Sequence, residues 1–304
     1  AKGRLVEVEL PQFYDEKAGV FLNGRQVVGR CPFRGCSADK AYADECALGH
    51  QYRPEDLIAP VSTLTGEKPS LRPVANWCID LERVREDLAR WTTEHMARQP
   101  EHRDFVTSII EEFLSPPILH VLKTFTEAYE GVRDRLPAHE RTEESKKGKS
   151  FSLVFETLAD RDRASAILAE ADIRYRASKY LVPFRLTGNV PWGVPVRSEA
   201  ERGLTFWVWP ESLWAPISFT AAYEEKTRGS TEGWKDWWYS RDTKIVQFIG
   251  EDNIYFYGIG QFAIFTGLQD GTPVLPPPDG ELQLTTLVAN KHLLFLDKKA
   301  SSSG

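Results

Sequence analysis

Residues 31–50 read Cys-Pro-Phe-Arg-Gly-Cys-Ser-Ala-Asp-Lys-Ala-Tyr-Ala-Asp-Glu-Cys-Ala-Leu-Gly-His. Cys31, Cys36, Cys46 and His50 take the spacing Cys-x4-Cys-x9-Cys-x3-His on turn-rich chain. Soft thiolates and an imidazole grouped this way suit tetrahedral Zn²⁺ with every position filled by protein, a structural site. Residues 31–60 are short, polar and rich in Cys, Gly and Asp, with too little apolar content to close a core. Metal-binding energy would therefore be folding energy here. The competing reading of the same residues is three buried thiols beside a surface histidine. Cys78, in Trp77-Cys78-Ile79-Asp80, stands apart from the cluster and reads as a buried thiol.

Ahead of this segment Leu5, Val6, Val8 and Leu10 predict a strand, and Asn23-Gly24 predicts a hairpin turn. Behind it Leu81, Val84, Leu88 and Trp91 fall on one helical face. A second helix is expected from Asp104 to Phe113, stopped by Pro116-Pro117, and a third from Ile118 to Arg133. Residues 137–149 are polar and charged, a linker. Ser150–Glu156 then reads as a strand, Arg161–Ala171 as a helix and Ile173–Tyr175 as a strand. Strand-like runs at Thr205–Trp209, Lys244–Ile249 and Leu284–Val288, spaced by helices, predict a parallel sheet. The expected architecture is α/β, with a zinc subdomain and a helical insertion ahead of a half sheet.

Composition narrows the functional classes. With 38 Lys plus Arg against 44 Asp plus Glu in 304 residues, the chain has no whole-molecule electrostatic footprint for nucleic acid. The one dense basic run, Lys146, Lys147 and Lys149, reads as a solvated loop. Four cysteines make no disulfide scaffold, and three of them clustered fit a reducing compartment. The first residues lack a signal-peptide core, and no apolar run approaches the ~20 residues of a membrane span. A soluble, cytoplasmic protein with no membrane partner is expected.

Several blocks carry a resemblance. Phe13 through Leu22, then Val28-Gly29-Arg30-Cys31-Pro32, resembles the entry into the connective-peptide insertion of methionyl-tRNA synthetases, which carries a zinc knuckle. Tyr52 through Pro60 is similar to the stretch that follows that knuckle, and Thr65–Pro69 and Trp77–Leu81 continue in register. The likeness resumes at Pro191–Val196, Phe206–Trp209, Trp234–Trp238 and Phe248–Ile254. It ends at Asp297-Lys298-Lys299-Ala300-Ser301-Ser302-Ser303-Gly304, which resembles the KMSKS loop. Residues 8–82 and 186–304 are covered, whereas residues about 115–180 look like an extra insertion.

The resemblance implies ATP-dependent activation of an amino acid, with Mg²⁺ as ATP's companion, and transfer to tRNA. It implies the second half of a class I Rossmann-type parallel sheet with a zinc-knuckle subdomain and a helical or α+β insertion. Its segments would be a knuckle subdomain over 1–82, a helical region over 83–185 and half of the catalytic core over 186–304. Gly250 and Asp252 match the segment that holds the ATP ribose. Lys299, Ser301 and Ser303 match the loop that stabilises charge on leaving pyrophosphate. Trp209, Phe256 and Phe219 (or Pro216) fall at or near aromatic walls of the methionine pocket. Ordinary core packing explains each aromatic nearly as well.

Four departures bear on activity. The HIGH motif and first sheet half do not occur in residues 1–304, so an N-terminal HIGH-containing half is expected as a partner. Ser302 replaces the second KMSKS lysine, and a hydroxyl carries no charge for a phosphoryl transition state. Gly188 aligns with an arginine that in the family pairs with the acid orienting the methionine ammonium group. Tyr257 stands where the family has a histidine, which adds a donor and points to a side chain ending in a hydrogen-bond acceptor. The alternative functions are a non-catalytic module that binds tRNA or protein, and a paralogue that activates a different amino acid.

Overall fold

The computed structural model describes residues 3–33, 36–43, 46–47, 52–143, 148–269, 271–291, 294–295 and 298–299. The chain divides into two compact units, 1–80 with 183–236 and 81–182 with 237–304. Helices and sheets are mixed throughout.

β1 (Leu5–Asp15) is the long alternating strand the sequence predicts. β2 (Val20–Phe21) folds back on its end. Asp15 shapes that reversal: its Oδ1 accepts from the Lys17 and Ala18 N–H groups, and Gly19 supplies a φ of +68°. The hairpin expected at Asn23-Gly24 is absent. Asn23 instead caps a 3₁₀ turn over Gly24–Gln26, accepting from the N–H groups of Arg25 and Gln26. The turn delivers the chain to another sheet rather than returning it to β2. That sheet has the order β4-β3-β5, from β3 (Val27–Arg30), β4 (Ala41–Tyr42) and β5 (Ile58–Ser62). β6 (Ser70–Ile79) runs antiparallel to β1 from Ser70↔Tyr14 to Ile79↔Leu5.

In the second unit Leu81, Val84, Leu88 and Trp91 are all buried, as one helical face requires. They span a 3₁₀ turn, α1 (Arg85–Arg90) and a π-helical turn over Trp91–His95. α2 (Asp104–Leu114) ends just before Pro116-Pro117. The helix expected over Ile118–Arg133 is a strand followed by a helix, β7 (Ile118–Leu122) and α3 (Thr126–Val132). Leu119 and Val121 are buried on one face of β7, and this period of two wins because β7 finds partners on both sides.

Those partners complete a module. β8 (Glu140–Glu143), β9 (Ser150–Val154), α4 (Leu158–Glu170) and β10 (Tyr175–Ala177) follow α3. The antiparallel sheet has the order β10-β7-β9-β8, so β-α-β-β-α-β forms a split βαβ arrangement. Its core is Leu119, Val121, Tyr129, Phe151, Leu153, Phe155, Ala164, Leu168 and Ile173. The expected linker thus contains β8 and leads directly into β9; Lys146 and Lys147 lie outside the described residues.

The chain re-enters the first unit through β11 (Phe184–Arg185), which joins β6. β12 (Thr187–Gly188) pairs with β13 (Thr205–Phe206). The strand expected over Thr205–Trp209 stops at Phe206, because α5 (Val208–Arg228) begins at once. Pro210 fits its first turn, where no N–H is needed. α6 (Lys235–Trp238) is a single turn. In the second unit β14 (Val246–Gly250) and β15 (Thr286–Asn290) are parallel, and α7 (Gln261–Thr266) lies between them in sequence. β16 (Leu294–Phe295) and β17 (Lys298–Lys299) close the described chain. Among the described residues β14–β15 is the one parallel pair, where the sequence predicts a wider parallel sheet. No described helix is long and apolar enough to cross a membrane.

Candidate functional site

In the first unit β3 ends at Arg30 and hands the chain to Cys31, while an antiparallel bridge from Ala41 places Cys46. The sulfurs of Cys31, Cys36 and Cys46 lie within 4.8 Å of one another, and those of Cys36 and Cys46 are 3.9 Å apart. Three sulfur donors converging on one point form a donor set for a soft or borderline cation such as Zn²⁺. Burial, followed by the two neighbouring thiols, pushes the Cys31 thiol up to about 11. A cation reverses that preference, because a coordinating thiol gives up its proton. His50 lies outside the described residues. Cys78 is fully buried opposite Arg185 in the β6–β11 ladder, apart from the cluster.

Trp209 and Phe219 both belong to α5 and are not brought together by it. They are separated by about 15 Å along a helix at 1.5 Å per residue. Phe219 is 71% exposed, whereas Trp209 is half-buried in the first turn. Gly188, where the resemblance expects an arginine, has no room for a side chain. A Cβ there would come 2.4 Å from the Trp207 ring and 2.9 Å from Nη2 of Arg185.

In the second unit Gly250 is the last residue of β14, at the carboxyl end of the parallel pair, opposite Asn290. Ligands of parallel α/β sheets gather at such ends. Asp252 follows, exposed, in a 3₁₀ turn, its Oδ1 accepting from Nδ2 of Asn253. A Cβ at Gly250 would lie 2.5 Å from that Oδ1, so glycine is what lets the carboxylate fold back over the strand end. A carboxylate has the acceptor capacity for two hydrogen bonds from vicinal hydroxyls.

The next turn, Tyr255–Gly260, is π-helical and carries Phe256 and Tyr257, both half-buried. Phe256 meets the ring of Tyr255 edge-on at 5.3 Å. Tyr257 lines a small void with Trp91, Met96, Gln261, Phe262 and Thr285. Its hydroxyl meets no hydrogen-bond partner among the described residues. Thr285 donates to Oε1 of the buried Gln261. Trp91 and Gln261 escape the sequence reading because helical periodicity marks Trp91 only as core, and nothing local links it to Tyr257. Lys299 lies on β17, with its backbone alone described, and Ser301 and Ser303 lie outside the described residues.

The family model of class I tRNA synthetases (M) matches residues 1–132 and 168–304. The chain therefore belongs to that family of class I tRNA synthetases. Its relatives include the methionine–tRNA ligase of Porphyromonas gingivalis strain ATCC 33277, 28% identical over 85% of this chain and 27% of the relative. That of Christiangramia forsetii is 27% identical over 99% of this chain and 32% of the relative. The chain thus spans about a third of the length of these curated relatives. Among solved structures, Mycobacterium tuberculosis methionyl-tRNA synthetase bound by methionyl-adenylate aligns at 10% identity with a TM-score of 0.38. That alignment covers 100% of this chain and 38% of the other. The unmatched residues, 133–167, fall inside the split βαβ module.

Proposed function

We propose that this chain is the zinc-knuckle and nucleotide-binding portion of a methionyl-tRNA synthetase-like enzyme, which activates an amino acid with ATP and Mg²⁺ and passes it to tRNA. The observation that carries this reading is Asp252 at the carboxyl end of β14, with Gly250 lacking a side chain beneath its carboxylate. Asp252 accepts the ribose hydroxyls of ATP, and β14–β15 belong to the second half of a Rossmann-type sheet. Lys299, Ser301 and Ser303 stabilise the leaving pyrophosphate from the terminal loop. Cys31, Cys36, Cys46 and His50 hold one structural zinc, which supplies folding energy to residues 31–60 and takes no part in the chemistry. A HIGH-containing half completes the site, and the assembly works in the cytoplasm.

Tyr257 and the apolar walls around it bear on the amino acid. A hydroxyl with no described partner favours a side chain that ends in an acceptor over the thioether of methionine. Ser302 favours a second reading, a synthetase-derived module that binds tRNA or protein without catalysis, because the charge of the second KMSKS lysine is lost.

Calorimetry with ATP or a non-hydrolysable adenylate separates the two. With the HIGH-containing half supplied, Asp252→Ala is expected to weaken nucleotide binding by about 1–3 kcal/mol, the cost of losing hydrogen bonds to a charged group, with the fold intact. No nucleotide binding by the unaltered protein would establish the module reading.

A further inference from the structure

Arg185 is the one residue of β11 whose chemistry is left over. Its guanidinium lies over the Trp207 ring, with Cζ 3.9 Å from the ring centroid. Nε donates to the Thr187 carbonyl at 2.7 Å, and Nη2 donates to Oε1 of Gln12 at 2.9 Å. Gln12 is itself buried and pinned, its Nε2 donating to the carbonyls of Asn189 at 2.6 Å and Leu22 at 3.3 Å. The cation thus sits in a socket that fixes its plane and rotation. Gly188 belongs to the same socket, since any side chain there would strike both the indole and Nη2.

Among the described residues the socket contains no counter-charge. Both acceptors of Arg185 are neutral, and no described carboxylate pairs with it. Nearby polar side chains, Asn76, Thr187 and Asn189, are neutral as well, and burial raises the Cys78 thiol opposite Arg185, which keeps it protonated. Burial pulls the guanidinium down to about 10, so it still carries its charge at neutral pH. A half-buried cation without an anion is costly, and proteins as a rule pair such charges. Of the five N–H donors of a guanidinium, one on Nε and one on Nη2 are engaged here, which leaves the Nη1–Nη2 fork. That fork is the edge that takes an oxyanion in two parallel hydrogen bonds.

We propose that Arg185, set over Trp207 and oriented by Gln12 and Thr187, is a binding site for the carboxylate or phosphate group of a small ligand. The site lies within the first unit and is independent of Asp252, so it stands or falls separately from the nucleotide reading.

The test is NMR of the full chain labelled with ¹⁵N-arginine. The Nε–H resonance of Arg185 is assigned by its loss in Arg185→Lys. If that variant does not fold, Trp207→Phe assigns it through the altered ring current above the guanidinium. Sodium acetate and inorganic phosphate are titrated separately, each against sodium chloride at matched ionic strength. The expected result is a saturable shift of this one resonance with an oxyanion and not with chloride. Saturation with acetate alone assigns a carboxylate ligand, with phosphate alone a phosphate group, and with both a general oxyanion site. A second readout is thermal melting, where the effective anion raises the wild-type midpoint and leaves that of Arg185→Lys unchanged. A linear response, or an equal response to chloride, overturns the proposal.

Discussion

The knuckle segment and the split βαβ module are both small, and they solve the problem of being small in opposite ways. Around the knuckle the buried set is Phe13, Leu22, Val27, Ala41, Ala43, Cys46 and Leu57, with one aromatic ring and two alanines. The module buries Tyr129, Phe151 and Phe155 together with Leu119, Leu153, Leu168 and Ile173. A fully buried large apolar side chain contributes about 1.5–3 kcal/mol, so the module gathers about twice the burial energy of the knuckle. The three converging thiols sit in the segment with the smaller core. On the proposed reading, apolar area rather than length decides which short segment gains from a metal.

The sharpest way to break the comparison is to take the metal away. Chelation, or Cys36→Ser, is expected to unfold residues 31–62 locally while residues 118–177 keep their protection. Structural zinc supplies about 10 kcal/mol or more of binding energy in small domains, of the same order as the whole apolar core of the knuckle, so its loss is not made good elsewhere in the segment. Hydrogen exchange read peptide by peptide measures both segments at once, and metal analysis should return close to one zinc per chain. Unchanged exchange over 31–62 after chelation would remove the distinction.

The converse perturbation strikes the module. Phe151 is fully buried at the centre of its sheet, edge-on to Tyr129 at 5.1 Å and beneath the Arg141 guanidinium at 4.2 Å. Phe151→Ala is expected to cost about 3–5 kcal/mol, a transfer term plus a cavity. Urea unfolding followed over residues 118–177 should register the loss, with exchange over the knuckle unchanged. A cost below about 1 kcal/mol would mean that the core does not hold the module together.

How far the sequence reveals these regions depends on how local the deciding contacts are. The alternation of β1, the face formed by Leu81, Val84, Leu88 and Trp91, and the Cys spacing are legible because each pattern lies within a few turns of chain. Ile118–Arg133 misleads, since Ile118, Leu119, Val121 and Leu122 satisfy a helical period about as well as a strand period. The strand wins through Phe151 and Tyr175, register partners of Val121 that no local window contains. The same holds at the sites. Gly250 and Asp252 are candidates that a local motif offers, whereas the Arg185–Gln12–Trp207 socket joins residues far apart in sequence, with only the glycine at 188 as a trace.

A milder test sharpens the account of the first unit outside the metal. Asp15 is buried at the end of β1, and hydrogen bonds from Ser62 and Thr65, then from Ala18 and Lys17, hold its carboxyl down to about 2 against an ordinary 3.8. A depressed folded-state pKa stabilises above the unfolded value and loses that contribution as pH falls through the folded value. Stability from Asp15 is therefore complete above about pH 4 and is lost between about 4 and 2. Asp15→Asn should flatten the acid limb of the unfolding curve in that window, as read by circular dichroism. An acid limb identical to wild type would show that Asp15 is not the group that titrates.

The smallest expected effect lies inside the module and separates its polar contribution from its apolar one. Tyr129 donates its hydroxyl hydrogen to Nε2 of His139 at 2.8 Å, while Nδ1 of the same ring lies 2.7 Å from the Pro137 carbonyl. A carbonyl only accepts, so the proton belongs on Nδ1 and Nε2 is left to accept from the phenol. Burial raises the phenol above its ordinary value, which keeps it protonated and able to donate. Tyr129→Phe keeps the ring, its contact with Phe151 and nearly all of the buried area, and removes one neutral hydrogen bond. The expected cost is about 1 kcal/mol, several times less than that of Phe151→Ala. If urea midpoints for the two variants fall together, the module depends on its Tyr–His–carbonyl chain as much as on its rings. It would then resemble the knuckle, a short segment held by a few specific polar contacts.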